Sequence, residues 1–459
     1  MVKYNPIPCK YFIKNEAKNT PAPQDDLFKN RLETMINTKH KLVKLSKLID
    51  WQSFESDWIK LFPSATGAPA TPTRMIAGLH YLKHLYDLSD EQVVERWVEN
   101  PYWQHFCGEQ FFSHTLPIHP TSMTKWRGRL GKDGVEKLLL ETIKTGLKSK
   151  TIKPNSLTKV TVDTTVQEKN VAFPTDSKLL NKARENLVKI AKKHNIKLRQ
   201  NDNRKAKTYA LMAGRYAHAK QFKRMRMMNK KLKSRLGRIV RDIERQLPKN
   251  NLLLQPVFNL ELAQAKQLIN QQQNGKNKRY SLHAPETECI SKGKAHKKYE
   301  FGVKASIAIT NKEGFALGAM SCPNNPYDGH TLKQQLDQVQ DLIGNKNSIK
   351  QCFVDRGYRG HGIKDIQVFI SGQKRGVTKS IKKLLKRRSA IEPEIGHMKN
   401  DGRLNRNYLK GKMGDMQNVI LCASGHHLRK ILNKLVADAK DFLAQIYWAW
   451  FLLEIRINR

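Results

Sequence analysis

The sequence predicts an α/β protein: a mixed sheet flanked by helices, with a helical unit before it and a basic helical insertion within it. Three observations carry this. Stretches rich in Val, Ile and Thr recur from residue 157 onward, segments of helical periodicity separate them, and positive charge is concentrated in one of those segments. The order strand, helical insertion, hairpin, helix, strand, strand, helix fits a mixed sheet covered by helices. With 459 residues, 39% of them hydrophobic, the chain is long enough for several structural units and at least one sizeable core.

Residues 1–26 read as an N-terminal arm and residues 27–150 as a unit of short helices resembling a helix-turn-helix DNA-binding domain. Met75, Ile76, Leu79, Leu82, Leu85 and Tyr86 stand at helical spacing. Ser89 and Gln92 form a capping-box pattern opening a helix that Pro101 stops. After Pro120, Thr121 or Ser122 is positioned to cap a helix projecting Lys125, Arg127 and Arg129. A short basic helix of this kind suits a DNA groove, and a solvated basic face accounts for it about as well. Trp97, Trp103 and Trp126 read as core anchors, with stacking on DNA as the alternative.

The character changes at TKVTVDTTV, a strand containing Asp163 amid residues of alternating polarity. Asp is depleted in strands, so a buried one needs a partner, a metal or a role; a salt-bridged structural Asp is the plainer alternative. A helical insertion follows, about residues 178–275. Between Asn181 and Asn250 there are 23 Lys and Arg against four acidic residues, an excess of 19 within a net charge of +44. Leu232, Leu236, Ile239, Val240, Ile243 and Leu247 fall on one helical stripe, with Leu187, Ile190 and Ala191 marking an earlier helix, and together they predict a helical hairpin with basic outer faces. Lys223, Arg224 and Arg226 are its candidate phosphate contacts, because solvated faces mix charge signs and this one does not.

YEFGVKASIAIT and GFALGAMS, joined by Asn311 to Gly314, predict a β-hairpin. A helix follows PYDGHTL. Within it Asp328 and His330 read either as a ligand-orienting pair or, preferably, as an Asp-Gly turn with Thr331 as helix cap. The next strand ends at Asp355 in CFVDRGYRG, and DIQVFISG precedes a basic helix beginning near Thr378. Sheet and helices together span 157–435, and residues 436–459 read as a C-terminal helix. His426 and His427 have no acidic partner at metal spacing and read as meeting solvent, core or phosphate.

The six cysteines, Cys9, Cys107, Cys289, Cys322, Cys352 and Cys422, lack zinc spacing and read as reduced, mostly buried thiols. No run approaches the ~20 apolar residues of a membrane span, and MVKYNPIPCKYF lacks a signal-peptide core, so a cytoplasmic location is expected. The +44 charge favours a polyanionic partner, most economically DNA, over a membrane or small-molecule substrate.

Asp163 and Asp355, far apart in sequence, can meet on neighbouring strands. A third carboxylate is then expected from a nearby helix, because hard oxygen ligands are what magnesium or manganese ions require for phosphoryl transfer. Arg388, Glu392 and Lys399, offset by four and eleven residues, lie within roughly 40° of one another on a helix, with Glu394 pointing roughly the opposite way. Pro393 predicts a kink or restart beside Glu392.

VTVDTTV, CFVDRGYRG and RRSAIEPEIGHMK resemble the DDE transposases of bacterial insertion sequences, particularly the group numbered five. That group's signature is Tyr, two residues, Arg, three residues, Glu, six residues, Lys; Arg388, Glu392 and Lys399 match, while Leu385 replaces the Tyr. The resemblance runs from about Trp51 to Leu432. It implies a ribonuclease H-like catalytic fold, with Asp163, Asp355 and Glu392 as catalytic residues holding two Mg2+ or Mn2+ ions. Arg388 and Lys399 are then expected to hold DNA. It further implies binding of terminal inverted repeats and target DNA, cleavage and strand transfer, a homodimer on DNA, and a nucleoid-associated protein. A ribonuclease H-like nuclease that cuts without joining, or an inactive DNA-binding relative, is the alternative. Covalent chemistry by Tyr358 or Ser306 is disfavoured, for neither has an evident base.

Overall fold

The computed structural model describes residues 29–58, 61, 71–250, 255–272, 275, 278–291, 297–344 and 349–457. Cys9 and the N-terminal arm lie outside them. Seven helices open the described chain: α1 (Leu32–Met35), α2 (Lys41–Leu48), α3 (Gln52–Trp58), α4 (Thr73–Leu85), α5 (Asp90–Glu99), α6 (Pro101–Phe106) and α7 (Pro120–Lys148). Ser89 and Gln92 close the expected capping box on α5. Pro101 ends α5 and also starts α6, because Asn100 caps the new helix through Tyr102 and Trp103 and a first-turn proline has no intrahelical N–H to lose. The expected cap of α7 at Thr121 or Ser122 is corrected: His119 caps it, its ring accepting from the Thr121 N–H. Gly131, at φ +60°, breaks the helical path inside α7. Trp97, Trp103 and Trp126 are buried as core anchors.

The strand containing Asp163 is β1 (Lys159–Glu168). Its alternation would leave one face to solvent, yet nearly every residue from Val160 to Gln167 is buried, because β1 lies inside the sheet with helices on both sides. The predicted helical hairpin is a bundle of four helices, α8 (Asp176–Lys193), α9 (Asn203–His218), α10 (Phe222–Asn250) and α11 (Gln255–Asn270), with its own core around Leu187, Leu236, Ile243 and Phe258. The sheet resumes with β2 (Glu288–Ser291), β3 (Tyr299–Thr310) and β4 (Ala316–Cys322), followed by α12 (Asp328–Ile343), β5 (Gln351–Val354) and β6 (Gln367–Ile370). β3 pairs antiparallel with β1, β2 and β4, whereas β5 is parallel to both β1 and β6. An antiparallel hairpin on one side of β1 and parallel strands on the other make the ribonuclease H-like arrangement. Helix α12 covers β3 and β4.

Thr378 caps α13 (Lys379–Lys386), a 3-10 turn spans Arg387–Ala390, and α14 (Ile391–Asp401) restarts after it. Pro393 therefore falls in the first turn of α14, where its missing N–H is harmless. Helix α15 (Gly411–Ile457) runs back across α7, α4 and β4. One hydrophobic core continues from Leu42 to Leu432, so the N-terminal helices and the sheet pack as a single body. Where the insertion leaves and rejoins that body, the buried Lys169 ammonium meets Glu286 and Asp415, each at 2.7 Å, tying both ends of the insertion to α15. Among the described residues no helix is long and apolar enough to cross a membrane.

Candidate active site

Register brings the two aspartates together. Thr161 of β1 pairs with Phe353 of β5 in parallel, and Asp163 and Asp355 each stand two residues further on, so they lie level on neighbouring strands and on the same face. Asp355 terminates β5 and caps the 3-10 turn Arg356–Tyr358, its Oδ1 accepting from the Gly357 N–H at 2.9 Å. Asp163 Oδ1 accepts from the Thr164 N–H at 2.7 Å.

Glu392 is the second residue of α14, where a carboxylate is favoured by the helix N-terminus. Its side chain is 66% exposed. Arg388 stands between it and the sheet, 3.7 Å from Asp163 Oδ2 and 3.6 Å from Glu392 Oε1. Among the described residues, no three of His, Cys, Asp and Glu converge to hold a metal; Asp163 and Glu392 are linked through Arg388. Glu394, by contrast, turns into the protein, where it meets His426 Nε2 at 2.8 Å and Lys430 Nζ at 2.5 Å. Burial alone would raise its pKa, but His426 and Lys430 hold it below the usual carboxylate value. His426 thus has an acidic partner after all, supplied by the fold, while buried His427 stacks on Phe315 and meets Thr142 Oγ1 at 2.7 Å.

A fourth carboxylate stands beside the two aspartates. Asp328 is the first residue of α12, and Thr331 returns its hydroxyl to the Asp328 carbonyl as a donor instead of capping the helix. The expected Asp-Gly turn is therefore the start of the helix. Asp328 Oδ1 accepts from Thr164 Oγ1 and from Lys304 Nζ, both at 3.0 Å. A β-carbon on Gly357 would lie 3.1 Å from Asp355 Oδ1 and 3.4 Å from Asp328 Oδ2, so these two carboxylates flank the same backbone position. Burial, then the charges of Asp163, Asp328 and Asp355, push Tyr358 well above the ordinary phenol value. A phenol so held is a poor nucleophile.

Of the candidate DNA contacts, Lys125 and Arg129 are exposed on α7, with Arg129 lying over the Trp126 ring at 5.3 Å. Arg127 is corrected: it is 4% exposed and bonds both oxygens of Asp90, with Nη1 to Oδ1 at 2.8 Å and Nη2 to Oδ2 at 2.5 Å. It holds α7 to α5. Lys223, Arg224 and Arg226 are exposed at the start of α10, and Arg224 lies over Tyr216 at 5.8 Å. Lys399 is partly buried on α14.

Residues 30–129 match the family described as Transposase domain (DUF772), and residues 267–424 match the family described as Transposase DDE domain. A protein of Rhizobium meliloti, described as uncharacterized protein ORF8 in nfe locus, is 52% identical over 199 residues, 43% of this chain and 96% of that protein. No solved structure matches.

Proposed function

Because the chain belongs to the DDE transposases of insertion sequences, enzymes of DNA transposition that work with divalent metal ions, we propose that Asp163, Asp355 and Glu392 are its catalytic carboxylates. The observation that carries this is the level placement of the two aspartates on β1 and β5, with Arg388 reaching from Asp163 to Glu392. The donor set is all oxygen and fits hard cations, Mg2+ or Mn2+, two per site. When bound, such ions lower the pKa of the attacking water and stabilise charge on the phosphate.

The remaining chemistry falls to the chain's own groups. The Gly357 and Thr164 N–H donors fix one oxygen each of Asp355 and Asp163, leaving the other oxygens for the cations. Exposed at the start of α14, Glu392 is free to change rotamer and close on the aspartates. Arg388 and Lys399 then face the phosphate of the cut strand, and Lys125, Arg129 and the cations at the start of α10 hold the flanking duplex. Spacing of Arg388, Glu392 and Lys399 places the chain in the group numbered five. The substrate is the element's terminal inverted repeat, joined to target DNA by a homodimer in the bacterial cytoplasm, on the nucleoid.

The test is joining. Purified protein is incubated with Mg2+ and a duplex carrying one end of its element together with a supercoiled plasmid. Covalent end–plasmid products support transposition, and cleavage of the end without any joined product would reassign the protein as a nuclease.

A further inference from the structure

The one polar atom at the centre of this site that its geometry leaves unexplained is the hydroxyl of Tyr358. The ring is fully buried, at 0% exposure, and its Oη has no hydrogen-bond partner among the described residues. Buried hydroxyls are nearly always paired, so an orphan at a site centre needs a reason. Backbone geometry fixes where it lies. Asp355 opens the turn that Tyr358 closes, and Gly357, between them, touches both the Asp355 and the Asp328 carboxylates. Asp163, Asp328 and Asp355 all act electrostatically on the phenol, so it sits within reach of carboxylates from β1, α12 and the end of β5. These aspartates take their described hydrogen bonds from Thr164, Lys304 and Gly357, and none from Tyr358.

We infer that Tyr358 is a positioning residue whose phenolic O–H donates a hydrogen bond into the carboxylate cluster once that cluster holds its divalent ions, fixing the orientation of the aspartate oxygens. The inference rests on the carboxylate assignment above. Its physical sense follows from sign. Held well above the ordinary phenol value, Tyr358 keeps its proton at neutral pH and can only donate or accept, never attack as a phenolate. Donors that orient a ligating carboxylate typically change metal affinity about 10- to 100-fold when removed.

The experiment compares Tyr358→Phe with Asp355→Asn in the full chain, reading Mn2+ binding by electron paramagnetic resonance and melting temperature without metal. Removing an unpaired buried hydroxyl relieves its desolvation cost, so Tyr358→Phe is expected to melt no lower than the parent without metal while binding Mn2+ about tenfold or more weakly. A structural role would do the reverse, lowering the melting temperature and leaving Mn2+ affinity alone, and would overturn the inference. If Asp355→Asn loses Mn2+ and Tyr358→Phe does not, the inference falls while the carboxylate site stands. If neither variant changes Mn2+ binding, the carboxylate assignment itself falls, and the inference with it.

Discussion

Arg127→Ala separates a role in the fold from a role in DNA binding. The substitution removes the guanidinium that bonds both oxygens of Asp90, at 2.8 and 2.5 Å, and the hydroxyl of Thr124 at 3.0 Å. Asp90, its side chain 14% exposed, is left with Lys83 at 2.6 Å as its remaining ion pair. Burial works against its charge, and the Arg127 hydrogen bond with the Lys83 and Arg127 charges now holds its pKa well below the usual carboxylate range. Breaking a buried ion pair by deleting one partner costs about 3–5 kcal/mol; because Lys83 remains, about 3 kcal/mol is expected. That corresponds to a fall in melting temperature of about 5 °C or more. The assay is paired: thermal melting, and DNA affinity measured on folded protein over a range of salt. Lys125→Ala with Arg129→Ala, both exposed, is expected to change stability within about 0.5 kcal/mol per site while weakening DNA binding. Arg127→Ala melting with the parent but losing DNA affinity would refute the reasoning.

Three further outcomes follow from particular residues. Leu236→Ala, at a fully buried position of α10, is expected to cost about 2–5 kcal/mol within the bundle's separate core; limited proteolysis should then cut residues 176–270 first, and simultaneous loss of protection in the sheet would contradict the separate core. Neutralising Lys223, Arg224 and Arg226 together is expected to lower the magnitude of the salt dependence of DNA binding by about 0.9 for each phosphate they had neutralised, whatever the DNA sequence, and an unchanged slope would place another partner on that face. Asp415, buried beside Lys169 and Glu286, is pushed from 3.8 up to about 6, chiefly by burial. Between these values the folded protein binds more protons than the unfolded chain, so stability falls as pH rises from about 4 to 6. Asp415→Asn should flatten that slope in denaturant titrations at pH 4, 5 and 6, and an unaltered slope would assign it to other groups.

Where sequence pattern and burial coincide, the fold was legible before the structure. The Val and Thr run around Asp163, the Asn311–Gly314 hairpin and the Ser89–Gln92 capping box needed only local chemistry. The bundle was underread because α9 packs through Ala206 and Ala213, residues too small to mark an apolar stripe. Arg127 misled for the opposite reason: Arg reads as surface, and its partner Asp90 lies 37 residues away on another helix. Burial of β1 on both faces likewise depends on helices that its own alternation cannot reveal.

At the site, Asp163, Asp355 and Glu392 stood out because carboxylates in β-runs and on a basic helix are unusual company. Asp328 did not, since Asp-Gly reads as a turn until α12 is seen to begin there. Lys304, Thr164 and Tyr358 enter only through interactions across the sheet and its ends. Glu394 could be separated from Glu392 by helical register alone, and the structure gives the reason for its direction: His426 and Lys430 receive it inside the fold.

The central claim is the carboxylate trio, and the most direct measurement is divalent-dependent cleavage of element-end DNA by Asp163→Asn, Asp355→Asn and Glu392→Gln, with DNA affinity and melting temperature recorded for each. The account predicts no cleavage above background in any of the three, with DNA binding and melting essentially those of the parent. Full cleavage by any one of them would contradict it.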